Sequence, residues 1–281
     1  MILVDEAQII YRSPSGRCWH LSGRPFEGRE GVTLGTDPQN MHAAPTTLLF
    51  QEGARQIGAT YTGRVVSRRD VSIEVSVRAD SQFGFSTTRT EWLKDLDYHQ
   101  AGWLHVWTPQ TGWRTLKVRK RAEPVPFVKK NATKIKWDKY MIPLVAENPY
   151  WEGIRETSFW RNKSGLGRGT LHIRNPGVVA VHPRFTLVGP GTPWIQDGPG
   201  GPLIEFPAMQ AGEVWLVDTN PRSKTIRTST GMNLYPRMRG RKFRGSYPPG
   251  TSTPIEVRFT GNAALSSQIL AVSYPRYEGW M

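Results

Sequence analysis

Apolar and polar residues alternate with a period of two along most of this chain, in short runs broken by Gly, Pro and Asn. That is the pattern of antiparallel strands whose two faces meet different surroundings. In the first half, 57–66 and 71–79 (VSIEVSVRA) alternate on either side of Ser67-Arg68-Arg69-Asp70, which predicts a hairpin. Residues 103–107 and 113–118 predict a second hairpin turning through Thr108-Pro109-Gln110-Thr111-Gly112. One segment between them has helical spacing. Thr88-x-x-Glu91 reads as a capping box ahead of a face formed by Trp92, Leu93 and Leu96, a helix of about ten residues.

The second half reads as strand throughout, at 154–160, 170–174, 178–188, 203–206, 213–218, 225–228, 253–260 and 268–274. Short strands at this spacing, with turns at Asn175-Pro176-Gly177 and 207–212 and no helical window, imply a β-sandwich or jelly roll. The apolar run Tyr140–Ala146 closes at Asn148-Pro149, which places a boundary between domains 1–147 and 148–281.

Composition narrows the class. With 38% hydrophobic and 11% aromatic residues in 281, the chain can bury at least one sizeable core without staples. A single cysteine, Cys18, excludes an intrachain disulfide and a cysteine-based zinc cluster. Residues 1–6 lack the basic start and long apolar run of a secretion signal, so the expectation is synthesis in the cytoplasm without secretion. The balance of 37 Lys+Arg against 23 Asp+Glu gives a net charge of +14, which suits an anionic partner without choosing among nucleic acid, acidic protein and polyanionic envelope. The excess concentrates between Lys117 and Lys139 and between Arg222 and Arg244.

No constellation for chemistry emerges. Gly165-x-Gly167-x-Gly169 lacks the following helix of a phosphate cradle. Cys18 and His20 share a strand face without a third member. His172 and His182 flank the Asn-Pro-Gly turn with equal parity, as a hairpin would project them, but a metal needs a third ligand. Asp95 with Asp97, and Glu205 with Glu213, carry no glycosidase signature. No catalytic, cofactor or metal residue is assigned, and the expectation is a protein that is not an enzyme. The run Arg237-Met-Arg-Gly-Arg-Lys-Phe-Arg interleaves charge and an aromatic as RNA-binding segments do, or forms a long loop pairing with an acidic neighbour. Eleven tryptophans exceed what a core of this size needs, which points to protein or sugar contacts.

Tyr61-Thr-Gly-Arg-Val-Val, Glu91-Trp92-Leu93, the junction Asn148-Pro-Tyr-Trp-Glu, and above all 171–192 (LHIRNPGVVAVHPRFTLVGPGT) with 211–221 (AGEVWLVDTNP) resemble the distal tail proteins of long-tailed phages, in particular minor tail proteins of actinobacterial phages. The resemblance covers nearly the whole chain. It implies a mainly β protein: an N-terminal domain similar to tail-tube proteins, a curled β-sheet or split barrel with one short helix, followed by a C-terminal galectin-like β-sandwich. It further implies a virion component in which six copies close into a ring at the tail tip, between the tail tube and the baseplate hub protein, with the tape measure protein as a further neighbour and DNA as transiting cargo. A bore that conducts DNA should not hold phosphates, so the basic clusters are expected to face neighbouring subunits or the exterior. Expected subunit or partner contacts are Trp92, Trp103, Trp107, Lys129, Lys130, Arg237, Arg239, Arg241, Lys242 and Arg244. The alternative function is a tail-tip module that binds host envelope glycan through Trp194, Trp215 or Trp160 and the basic loop.

Overall fold

The computed structural model of the chain describes residues 7–36, 38–127 and 131–281. It divides into two compact units, Met1–Glu152 with Glu278–Met281, and Gly153–Tyr277. The expected junction at 147/148 precedes this division. The Pro149 carbonyl accepts from Arg69 and the Trp151 indole N–H donates to the Met41 carbonyl, so 148–152 stay with the first unit, and the last four residues return to it.

The first unit contains β1 (Gln8–Arg12), β2 (Cys18–Ser22), β3 (Val32–Leu34), β4 (Thr46–Gln51), β5 (Thr60–Val66), β6 (Arg69–Arg78), α1 (Gln82–Lys94), β7 (Gly102–Thr108), β8 (Gly112–Lys120), β9 (Val125–Pro126), α2 (Ala132–Ile135), β10 (Trp137–Ala146) and β11 (Trp151–Glu152). Its main sheet runs β2-β1-β7-β8-β10-β6-β3, and the two end strands touch, so the sheet curls into a nearly closed barrel. Period-two patterning is obeyed closely. On β7, Gly102, Leu104, Val106 and Thr108 point inward and Trp103, His105 and Trp107 outward.

The hairpin at 103–118 forms as its turn chemistry predicts, with Trp107 opposite Trp113 and Thr108 opposite Gly112. The hairpin expected at 57–79 does not form. β6 pairs instead with β10 over ten residues and with β3, while β5 pairs with β4. A ten-residue ladder lined by Val71, Ile73, Val75 and Val77 buries far more apolar surface than a local pairing would, and non-local packing outweighs the turn.

The helix begins earlier than the capping box suggests. Ser81 is its N-cap, its hydroxyl accepting from the Gly84 N–H at 2.9 Å, and Thr88 and Glu91 lie inside it. The buried stripe is Phe85 and Trp92, seven residues apart, with Leu96 buried just beyond the helix. Trp92 sits edge-on to Tyr11 at 5.6 Å and to Trp19 at 5.2 Å. Asp95, the C-cap, holds this cluster by accepting from the Trp19 indole at 2.7 Å and, through its carbonyl, from the Tyr11 hydroxyl at 3.0 Å. That hydroxyl lies over Gly102, where a Cβ would come within 2.6 Å of it.

The second unit is a β-sandwich. Its strands are β12 (Glu156–Arg161), β13 (Arg168–Asn175), β14 (Arg184–Val188), β15 (Thr192–Gln196), β16 (Leu203–Glu205), β17 (Val214–Asp218), β18 (Thr225–Thr228), β19 (Thr251–Thr260) and β20 (Gln268–Ser273). One sheet runs β12-β20-β14-β17-β18 and the other β13-β19-β15-β16. Their inward residues, among them Phe185, Leu187, Trp215, Val217, Ile255 and Val257, share one core. β15 is not among the strands the sequence pattern predicts, and it carries Pro193, a residue disfavoured inside strands. Pro193 gives no donor, yet its carbonyl accepts from the Phe206 N–H at 2.9 Å. Of the strand expected at 178–188 only Arg184–Val188 forms, after His182-Pro183.

Candidate assembly surfaces

The β4–β5 hairpin is exposed along nearly all its length and forms a sheet of its own. Leu48, Leu49, Phe50, Tyr61 and Val65 each expose between 44% and 55% of their surface. Phe50 and Tyr61 touch edge-on at 6.0 Å, and a register shift falls between Leu49 and Phe50. An isolated two-stranded ribbon is marginal in water, and this one carries apolar side chains on both faces. Such a ribbon is stable when a second surface covers it.

A second surface is the outward side of β1, β7 and β8. Cross-strand register places Trp103 beside Arg12 and Lys117, His105 beside Ile10 and Thr115, and Trp107 beside Gln8 and Trp113. The Lys117 ammonium lies 5.5 Å from the centre of the Trp103 ring. His105 Nδ1 is 2.9 Å from Thr115 Oγ1, and burial together with the Arg12 charge holds the imidazole below its ordinary pKa. Trp103 and Trp107 therefore project from one face with Trp113, a contact candidate the sequence reading missed although its register with Trp107 follows from the turn. Trp92 does not join them. It is fully buried in the helix-to-barrel contact, so its expected place at a partner contact is corrected to the core.

The basic run forms a pinned loop of the second unit. Met238 and Phe243 enter the core, Phe243 lying 5.9 Å from Phe185 and 6.0 Å from Phe206. Asp197 fixes the loop's end by accepting from the Arg244 and Gly245 N–H groups at 2.7 and 2.8 Å. Anchored this way, Arg237, Arg239, Arg241, Lys242 and Arg244 are all exposed. Arg241 pairs with Glu205 at 2.5 Å, and Arg237 lies over the Trp215 ring at 6.0 Å. Lys129 and Lys130 lie outside the described residues.

The three tryptophans of the glycan alternative do not share a surface. Trp215 is fully buried. Trp160 packs against the same core and stacks on Phe259 at 5.9 Å. Trp194 is on the other sheet, its indole N–H donating to Thr260 Oγ1 at 3.3 Å. Inward parity on β17 puts Trp215 with Val217 in the core, so Trp215 is not a surface contact.

The remaining chemical candidates are held in structural roles. His20 Nδ1 is 2.8 Å from Glu30 Oε1, an orientation set by the carboxylate rather than by Cys18. Asp97 accepts from the His99 and Gln100 N–H groups, and these bonds lower its pKa. Glu213 accepts from the Gln210 N–H at 2.8 Å. His172 is exposed on β13, whereas His182 precedes β14 of the other sheet with Nδ1 3.2 Å from the Gly245 carbonyl. Among the described residues no three His, Cys, Asp or Glu side chains are grouped to hold a metal ion.

No family profile matches the chain. It is 23% identical to minor tail protein Gp27 of Mycobacterium phage L5, covering 80% of this chain and 84% of that protein. It is also 23% identical to minor tail protein Gp27 of Mycobacterium phage D29, covering 89% and 91%. Among solved structures it matches SPP1 Dit (gp 19.1), a hub adsorption protein of phages infecting Gram-positive hosts, with a TM-score of 0.67, 11% identity, and 96% and 98% coverage. A chain of the phage P2 baseplate in its activated conformation with Ca matches with a TM-score of 0.58 at 12% identity, over 95% and 97%. The chain thus has the mainly β fold of a distal tail protein along nearly its whole length, and its sequence is similar to actinobacterial minor tail proteins.

Proposed function

We propose that this chain is a structural subunit of a phage tail tip, closing with five further copies into a ring that joins the tail tube to the baseplate hub and lets DNA pass. The observation that carries the reading is the β4–β5 hairpin. It is a ribbon apolar on both faces, projecting from a barrel whose fold is that of a distal tail protein. A ring needs a heterologous contact, in which a projecting element of one copy meets a different surface of the next. The hairpin is that projecting element.

The tryptophan-bearing face of β7 and β8 supplies contact area for the tail tube or the hub, with Arg12 and Lys117 fixing register. Because phosphate contacts would slow transiting DNA, this reading expects the basic loop 237–244 to face a neighbouring subunit or the exterior. The protein acts in the virion and carries out no catalysis. The tape measure protein is a further neighbour.

Negative-stain images of the purified chain test this reading. Six-fold rings with an open centre are expected. Filaments or closed two-fold dimers would contradict it.

A further inference from the structure

We propose that the outward face of the second unit's five-stranded sheet is a docking groove for an acidic, amphipathic segment of a partner protein. This goes beyond ring formation and stands on the geometry of the second unit alone.

The register lines up a row across all five strands, with Phe159 opposite Leu270, Leu270 opposite Thr186, Thr186 opposite Leu216 and Leu216 opposite Arg227. The neighbouring row is Thr157, Val272, Arg184, Asp218 and Thr225. Their sequence neighbours Trp215, Val217, Ile226, Ile269 and Ala271 fill the core, so both rows face away from it. An open depression of about 400 Å³ lies over the part of these rows formed by β14, β17, β18 and Val272, and Arg155 and Tyr274 add to its rim.

The charge on this face is one-sided. Arg155, Arg184 and Arg227 border the groove, and Asp218 is the one acid lining it. The Asp218 carboxylate is already committed. It accepts from Arg184 Nε at 2.9 Å, from Ser223 Oγ at 3.3 Å and from the Asn220 N–H at 2.9 Å. Among the described residues Arg155 and Arg227 form no ion pair, and Arg184 meets Asp218 through its Nε.

The floor decides the occupant. Leu216 and Val272 on the floor are only half-buried, and beside it Leu270 is half-buried and Phe159 is 56% exposed, an apolar surface that the hydroxyls of a saccharide would leave poorly matched. A peptide that alternates aliphatic and acidic residues presents aliphatic side chains to this floor and carboxylates to the arginines, in the charge-assisted geometry guanidinium favours. Arginine and aromatic residues beside buried apolar area are also the usual anchors of protein contacts. Five strands spaced about 4.8 Å apart span about 19 Å, the reach of roughly six extended residues.

The test uses the full chain with labelled leucine and valine methyls. It is titrated with a synthetic peptide of alternating leucine and glutamate, and separately with a leucine–lysine counterpart. The acidic peptide is expected to move the Leu216, Leu270 and Val272 methyl signals, and the basic one is not. Arg227→Glu should weaken binding about tenfold or more, as loss of an interfacial arginine anchor does. Arg155→Glu, outside the strands, should act in the same direction if Arg227→Glu impairs folding. Charge reversal at Arg239 or Lys242 should change affinity within about twofold, as an exposed distant charge does. Equal weakening by the loop variants would reduce the effect to general attraction to a basic protein and overturn the proposal. So would shifts confined to other methyls. An oligogalacturonate that moves the same methyls at lower concentration than the peptide would overturn it in favour of an acidic glycan.

Discussion

Arg69 donates from Nε to the Pro149 carbonyl at 2.7 Å, joining residues 80 apart in the sequence. Its Nη1 donates to the carbonyls of Asn40 and Met41 at 3.0 and 2.9 Å, and Nη2 donates to the carbonyl of Glu278. The side chain is fully buried, and a planar fork of donors satisfies carbonyls from three separate segments at once. Burial lowers the guanidinium to about 10, so it remains charged at neutral pH. This cation ties the C-terminal return, the 148–152 segment and the loop at 40–41 into the first unit.

Arg69→Lys should therefore cost about 2–4 kcal/mol, because an ammonium cannot reach all four carbonyls and leaves buried acceptors unpaired. Urea unfolding followed by tryptophan fluorescence measures it. Hydrogen exchange should show residues 278–281 loosening first. A change below about 0.5 kcal/mol, typical of a surface substitution, would contradict the tie.

The tryptophans divide by environment. Trp92→Ala should cost about 3–5 kcal/mol by opening a cavity between Tyr11 and Trp19. Trp92→Phe should cost under about 2 kcal/mol, since the buried indole N–H has no acceptor to lose. Trp107→Ala, on the half-exposed outer face, should cost under about 1 kcal/mol. Thermal unfolding of the three variants distinguishes them.

These assignments show what a sequence can and cannot carry. The β7–β8 hairpin is legible because Thr108 to Gly112 specify a turn locally. The partner of β6 is not, because Ser67 to Asp70 look equally like a turn while the choice of β10 and β3 is made by apolar packing far along the chain. Trp215 was open to a better reading, since strand parity sets it with Val217 on the inward side. So was Trp92, which shares a helical face with Leu96, and the helix start at Ser81 adds Phe85 to that stripe. The groove bordered by Arg155, Arg184 and Arg227 is assembled from strands that are not consecutive, and no linear pattern marks it.

Two histidines give the fold an acid sensitivity. Burial lowers the pKa of His105, with Arg12 adding to the effect, and burial also leads the lowering at His182. Below the ordinary histidine pKa of about 6.5 the unfolded chain binds protons that the folded chain resists. Stability is thus full above about pH 6.5 and falls as the pH drops beneath it, levelling once the folded rings are themselves protonated. His105→Gln with His182→Gln should flatten the urea midpoint between about pH 6.5 and 5. An unchanged slope would assign the acid sensitivity to other groups.

Self-association should depend on the hairpin while folding does not. Leu48→Asp with Phe50→Asp places charge on exposed positions, so stability should stay within about 0.5 kcal/mol while assembly is lost. Circular dichroism and sedimentation of the double variant check both halves. Loss of fold together with assembly would mean that the hairpin belongs to the first unit's own core.

The central claim is tested most directly by the mass of the purified chain, measured by light scattering on a sizing column across a concentration series. The ring reading predicts a species six times the 31.7 kDa of one chain, reduced to one chain by the hairpin substitutions. A mass of 31.7 kDa at every concentration, with the Leu48–Phe50 amides unprotected against hydrogen exchange, would contradict it.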